Sequence, residues 1–264
     1  MLARHHFLAK RFIRPTARFI SSAQFLSDED GLVEVLTAES TNSIFNLATE
    51  EFLYEHFDIK NPTLFLWRND KTIIMGKHQN PWKECKVQLL EQDGVLLARR
   101  KSGGACVYQD LGNSVWSFFT PYPRVENGTD YKTANNEVLI NALRHFGVEA
   151  KASGRNDIEV GDRKISGSAY KLNLGSKDGR GRKVLHHGTM LLDVELGALS
   201  NYLNPSKAKL ESKGVESVVA RVQNLKELAP EITHESFCAA LREEFLKKHQ
   251  GRRVRERTLR TDEL

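Results

Sequence analysis

Residues 99–113 read RRKSGGACVYQDLGN, and the two glycines in the middle constrain what this stretch can become. Glycine weakens a strand unless a turn or a close backbone approach calls for it. Gly103 and Gly104 therefore place a tight turn between a strand ending near Arg99 and an extended run from Val107. The outward N–H groups of such a turn form an anion-binding concavity. Arg99 and Arg100 point to opposite faces if the strand reaches them, so one guanidinium can enter that concavity and grip a carboxylate or phosphate with two prongs. The turn alone is equally compatible with a Ser-Gly-Gly hairpin whose arginines are solvated.

A second segment, GDRKISGSAYK over residues 161–171, supplies what the first lacks. Lys164 follows a Gly161-Asp162 turn and stands just ahead of Ser166, Gly167 and Ser168. Closing the hairpin at that turn puts Asn156 and Asp157 on the facing strand. A carboxylate there can hold Mg2+ against phosphate oxygens, because Mg2+ prefers oxygen and takes few protein ligands. His186 and His187 put one imidazole on each face of a third strand, and a purely structural place, in the core or at the surface, is expected for one of the two. Neither GxxxxGK[ST] nor GxGxxG occurs, so the commonest nucleotide motifs do not account for the glycines.

Around these segments the pattern alternates between periods. Strands are expected at 32–36, 63–67, 72–75 and 95–99, through much of 107–120, and at 148–152, 157–160, 163–172 and 185–194. Helices are expected at 44–56, 82–92, 135–146, 195–203 and 234–249, the first capped from among Thr41, Asn42 and Ser43, the last by Thr233. Residues 175–182 read as a polar loop. Strands and helices interleave irregularly, with several hairpins, which favours an α+β fold with a mixed sheet over a doubly wound parallel one.

The charge of +5 is concentrated at one end. Arg4, Lys10, Arg11, Arg14 and Arg18 precede any acid, and without them 34 basic face 34 acidic residues. Aromatic and aliphatic residues scattered among these charges, with no continuous apolar block, make residues 1–26 read as a mitochondrial presequence and place the protein in the matrix. No apolar run reaches membrane-spanning length. Cys85, Cys106 and Cys238 show neither disulfide nor zinc spacing. The basic run over 247–260 carries no aromatic residue and reads as a solvated helix end rather than a nucleic-acid site.

Taken in order, FLWRND, IIMGKHQNPWKEC, LARRKSGGACVYQDLGN, ASGRNDIEVGDRKISGSAYK, HHGTMLL, NYLNPSKAKLESKGVESVVARVQNL and ITHESF resemble the lipoate–protein ligases and mitochondrial lipoyltransferases. The resemblance covers residues 32–255. It implies the biotin/lipoate ligase catalytic fold, a mixed β-sheet flanked by helices. It also implies two half-reactions: lipoate attacks the α-phosphorus of ATP, with Mg2+, to give lipoyl-AMP, and an acceptor lysine then attacks that anhydride. The acceptors implied are lipoyl domains of 2-oxoacid dehydrogenase E2 subunits and the glycine-cleavage H protein.

Carried over by position, Lys164 would contact both the carboxylate and the α-phosphate. Arg100 would bind phosphate or the lipoyl carboxylate, and the backbone of Ala105, Cys106, Val107 and Tyr108 would line the adenylate. Asn156 and Asp157 would serve nucleotide or Mg2+, with Asp157 as the metal ligand. His187 would line the lipoyl pocket, Lys171 occupies a basic family position, and Trp67, Ile74, Gly76 and His78 would wall the apolar slot. The family's usual SGGGAV is SGGACV here, which suits Ala105 only if its φ is negative. Many family members continue into an accessory domain, whereas residues 256–264 read as a short basic tail. On that expectation another polypeptide supplies the domain, the sequence is a truncated product, or the chain only transfers preformed lipoyl-AMP. Two other readings are an ATP-independent lipoyl or octanoyl transferase with a thioester on Cys106, and a non-catalytic lipoyl-domain binding module.

Overall fold

The computed structural model describes residues 31–56, 59–121, 131–154, 156–175, 181–204 and 221–261. The basic leader, most of the 175–182 loop and residues 205–220 lie outside the described residues. β1 (Leu32–Ala38) leads into α1 (Ser43–His56). Asn42 caps that helix, its Oδ1 accepting from the backbone N–H groups of Ile44 and Phe45 at 3.0 Å each. β2 (Thr63–Trp67) and β3 (Thr72–Met75) follow.

The single helix expected over 82–92 is two short ones, α2 (Pro81–Glu84) and α3 (Val87–Gln92). The chain is extended at Cys85, φ −135° and ψ 153°. Distant backbone pairs it there: Lys86 N–H donates to Tyr202 O at 3.0 Å, and Asn204 N–H to Glu84 O at 2.8 Å. This tertiary ladder overrides the local helical pattern. Next come β4 (Leu96–Arg99), β5 (Val107–Gln109), β6 (Asn113–Pro121) and α4 (Tyr131–Arg144). Then come β7 (Lys151–Ser153), β8 (Asp157–Val160), β9 (Arg163–Asn173), β10 (Lys183–Leu191) and α5 (Leu196–Tyr202). The described chain ends with α6 (His234–Lys248), capped by Thr233, and β11 (Arg253–Leu259).

The strands form two sheets. The larger has eight in the order β11-β1-β2-β6-β10-β9-β8-β7, and the smaller has three, β4-β3-β5. Parallel pairing joins β11, β1 and β2, and the remaining neighbours of the large sheet are antiparallel, so the sheet is mixed as expected. On one face Val33, Val35, Leu64, Leu66, Trp116 and Phe118 pack against α4 and α6. On the other, Leu36, Phe65, Trp67 and Val115 meet Leu53 and Tyr54 of α1. Among the described residues no helix is long and apolar enough to cross a membrane.

The basic run at 247–260 is not a solvated helix end. Residues 253–259 form the edge strand β11 beside β1, with Leu259 only 2% exposed. Alternation explains it: Arg255 reaches Glu34 on one face while Glu256 pairs with Arg242 on the other. Charge content masked a period of two.

His234 opens α6 with Nδ1 2.6 Å from Ser114 Oγ, and burial, with Arg68 beside it, pulls its pKa from 6.5 down to about 4. Burial, with Lys248 and Arg252 nearby, brings His249 to about 4 as well. Both rings are neutral in the fold above that value, while the unfolded chain protonates below 6.5. The contribution of these two rings to stability is therefore level above pH 6.5 and is lost between pH 6.5 and 4. Urea midpoints measured across that range should decline with acidity, and His234→Gln should flatten the slope.

Candidate active site

Strand register builds the floor of a cavity. Trp67 pairs with Val115, Val115 with Thr189, Thr189 with Gly167 and Gly167 with Asp157. This row crosses five neighbouring strands on one face of the large sheet, a span of roughly 19 Å at ~4.8 Å per strand. All five residues line a cavity of about 350 Å³. Ile74 and Val107, partners in the small sheet, also line it, together with Gly104 and Ala105 of the glycine turn. One end of the row is the indole of Trp67 and the other is ionic.

At the ionic end Lys164 Nζ lies 2.8 Å from Asp157 Oδ1, each side chain about one-third exposed. Gly167 makes this geometry possible. A Cβ at that position would lie 2.7 Å from Lys164 Nζ, so the lysine runs over a strand position that must carry no side chain. The lysine backbone is held by the returning segment at 221–223: its N–H donates to Arg221 O at 2.5 Å, and its carbonyl accepts from Gln223 N–H at 2.9 Å. Asn156 Oδ1, beside Asp157, is a buried oxygen with no hydrogen-bond partner.

The turn wall is organised from within. Arg100 donates from Nε to Ser102 Oγ, from Nη1 to Ile74 O, and from Nη2 to Gly103 O and Ala105 O, at 2.7–3.1 Å. Gly104 (φ +95°) lies directly over that guanidinium, and an added Cβ would meet Nη2 at 2.7 Å. Arg99 likewise holds Gly76 O, Lys77 O and Gln79 O. Among the described residues no non-glycine has positive φ, so Ala105 fits where the family favours glycine. Burial lowers the Arg100 pKa, opposed by nearby Cys106 and Glu50.

Behind the turn runs a buried chain of hydrogen bonds. His187 Nε2 lies 2.6 Å from Ser102 Oγ, and its Nδ1 lies 2.8 Å from Glu50 Oε1. Ser117 Oγ donates to the same carboxylate oxygen at 2.5 Å and accepts from Trp67 Nε1–H at 3.1 Å. The ends fix the directions, since a guanidinium only donates and a carboxylate only accepts. Nδ1 of His187 therefore carries a hydrogen toward Glu50, while Nε2 faces the Ser102 hydroxyl. Sequence reasoning missed Glu50 and Ser102. The available signal was a carboxylate on the buried stripe of α1, where Asn46, Leu53 and Tyr54 also lie.

Other expected positions fall elsewhere. Lys171 lines a separate cleft of about 200 Å³, where it pairs with Glu55 and lies 4.4 Å from the Tyr54 ring centroid. His78 is exposed, and Gly76 packs against the Gly104 carbonyl, so Trp67 and Ile74 alone of the four proposed walls line the cavity. The side chain of Cys106 turns its sulfur toward Cys85 and that of Tyr108 stacks on Tyr202, while Ala105 and Val107, of the four backbone positions expected along the adenylate, line the cavity. Neither histidine is at the surface: His186 is fully buried on the opposite sheet face, near Asn135, and burial holds its pKa well below 6.5.

A family model, the lipoyl protein ligase A/B catalytic domain, matches residues 42–246. The chain belongs to this family. It is 36% identical to P. falciparum LipL1, solved in complex with lipoate, with a TM-score of 0.70 over 86% of this chain and 66% of that one. The chain thus spans just under two thirds of that relative's length. A lipoate-protein ligase A solved with ATP bound is 26% identical, TM-score 0.71, covering 88% of this chain and 90% of the other. A bipartite lipoate protein ligase from T. acidophilum, described together with its E2 lipoyl domain, is 26% identical, TM-score 0.71, covering 87% and 88%. The α+β architecture with its mixed sheet is that of this ligase family.

Gly167→Ala should leave the fold intact, because the clash falls on the flexible end of Lys164, but the displaced ammonium should cut turnover roughly 100-fold. Melting curves and single-turnover rates for the variant check both halves. Glu50→Ala strands His187 Nδ1–H and the Ser117 hydroxyl, and should cost about 1–3 kcal/mol for each donor left unpaired. Glu50→Gln keeps the acceptor and should lose much less in the same urea titration.

Proposed function

We propose that this protein attaches lipoate to the acceptor lysine of lipoyl domains, those of E2 subunits and the glycine-cleavage H protein, through a lipoyl-AMP intermediate. The observation that carries this reading is the single cavity with an indole at one end and an ammonium–carboxylate pair at the other. The apolar end suits a dithiolane and its alkyl chain. The ionic end suits a mixed anhydride.

In this reading Lys164 lies where negative charge gathers as the carboxylate oxygen joins the α-phosphorus and pyrophosphate departs. Asp157 keeps the ammonium aimed into the cavity while the site is empty of nucleotide. Arg100 acts chiefly by holding the turn, since four of its five N–H groups are donated to Ser102, Ile74, Gly103 and Ala105. The turn then presents Gly104 and Ala105 to the adenylate, with Val107 behind them. His187, fixed by Glu50, closes the floor beside Ala169. The Asp157 carboxylate and the unpartnered Asn156 Oδ1 fit a Mg2+ ion, which prefers oxygen donors. Such an ion, when bound, supplies charge neutralisation of the triphosphate. The lipoate, ATP and E2 lipoyl domain named for the relatives agree with these assignments.

The thioester alternative loses support from the geometry, because Cys106 Sγ lies 3.9 Å from Cys85 Sγ in a hydrophobic cluster. Hydrogen bonding to Cys85, then burial, raise the Cys106 pKa far above the ordinary thiol value. The mitochondrial matrix is the compartment we propose from the basic leader.

Two assays on the full chain decide the function. Lipoate-dependent pyrophosphate–ATP exchange reports activation, and transfer from synthetic lipoyl-AMP to a lipoyl domain reports the second half-reaction. A ligase performs both, and a transferase of preformed lipoyl-AMP performs only the second. Lys164→Ala should lower transfer by roughly 100-fold or more. Undiminished transfer by that variant refutes the role given to Lys164, and absence of both activities in the wild type refutes the function.

A further inference from the structure

Cys85 and Cys106 face each other across the boundary between α2 and the glycine turn, Sγ to Sγ 3.9 Å. Both are free thiols, with Cys85 buried and Cys106 partly exposed. Leu90, Val95, Tyr108 and Val194 cluster with them, and none of these six residues lines the cavity. The proposed chemistry gives neither sulfur a task. We infer that the pair is a modification site: an internal dithiol that closes to a disulfide by exchange with a small disulfide, linear or cyclic, and in closing withdraws the glycine turn from the adenylate wall. The second half of this inference rests on reading that turn as the adenylate wall.

The chemistry balances without an external electron carrier. Cys106 is the partly exposed thiol of the two, and through the small thiolate fraction that its raised pKa leaves it attacks one sulfur of the small disulfide, forming a mixed disulfide and releasing the first thiolate. The Cys85 thiolate then attacks Cys106 Sγ, forming the internal S–S bond and releasing the second. The two protons lost by the protein thiols go to the two released thiolates. The protein dithiol is oxidised and the small disulfide reduced by the same two electrons.

Bond formation requires the sulfurs to approach from 3.9 Å to about 2.05 Å, and whatever part of that approach side-chain rotation does not meet falls on the backbone. Cys85 is anchored: its own N–H donates to Pro81 O at 2.8 Å, and both flanking residues pair with the 202–204 strand-like segment. Cys106 lies between the turn and β5, outside any regular element. The yielding partner is therefore Cys106. Its neighbour Ala105 lines the cavity and is tied to Arg100 Nη2 by a 2.9 Å bond, so closure strains the wall that Arg100 organises.

The full chain, reduced and then freed of reductant, is incubated separately with glutathione disulfide (the linear class) and with lipoamide (the cyclic class). It is then denatured, alkylated and mapped by mass spectrometry. Closure leaves Cys238 as the single alkylated cysteine and yields a linked Cys85–Cys106 peptide; the arm that produces it identifies the class of oxidant. Three alkylated cysteines in both arms overturn the inference. Affinity for a non-hydrolysable lipoyl-AMP analogue, measured by calorimetry, should weaken at least roughly tenfold on closure and recover with dithiothreitol. Cys85→Ser and Cys85→Ala should bind the analogue normally when reduced and yield no linked peptide with either oxidant, stopping at a mixed disulfide on Cys106. A linked protein that binds as tightly as the reduced one overturns the coupling to the site. If the reduced protein binds no analogue, the adenylate reading fails instead, and the thiol count still judges the dithiol.

Discussion

A carboxylate taken out of water must be answered by donors, and in this protein that requirement ties the whole cavity together. Glu50 comes from α1, and its Oε1 accepts from Ser117 on β6 and His187 on β10. His187 in turn orients Ser102, whose oxygen receives the Arg100 side chain, and Arg100 gathers the carbonyls of the glycine turn. A helix, two central strands of the large sheet and the turn beside the small sheet are thereby joined through polar contacts. Leaving any buried member unpaired is costly, which makes the arrangement close to all-or-none. The position of the turn is consequently set from the core outward.

The sheet supplies the complementary gradient. Register alone aligns Trp67, Val115, Thr189, Gly167 and Asp157 across five strands, so the cavity floor passes from aromatic to ionic with small side chains between. A ligand with an apolar tail and an anionic head fits that order in one direction only. Glycine at 167 is the condition for the ionic end, because the lysine that defines it occupies the space of the missing side chain.

Much of this was legible in the chain. The mixed sheet followed from irregular alternation of periods, and the placing of Asn156 and Asp157 on the strand facing Lys164 followed from closing the hairpin at Gly161 and Asp162; the ion pair itself did not, because register sets Glu159 opposite Lys164. The helix caps at Asn42 and Thr233 were local chemistry and stood as read. Features that depended on distant partners were not legible. Cys85 left the helical state because the 202–204 segment paired beside it, and β11 formed because β1 offered an open parallel edge. Glu50 was passed over because a single charge on a helix stripe looks like solvated surface until its partners, more than sixty positions away, are in place.

Local chemistry written in consecutive residues belonged to the sequence: glycines where backbones must turn, oxygens where helices begin, a lysine ahead of small residues, and the ordered motifs that mark the family. Tertiary structure decided which groups face the same volume. It put Lys171 in another cleft, turned the Cys106 sulfur toward Cys85, and spent the donors of Arg100 on carbonyls. The reason is that side-chain direction and hydrogen-bond satisfaction depend on neighbours contributed by remote strands, and their positions exist only once the sheets have assembled.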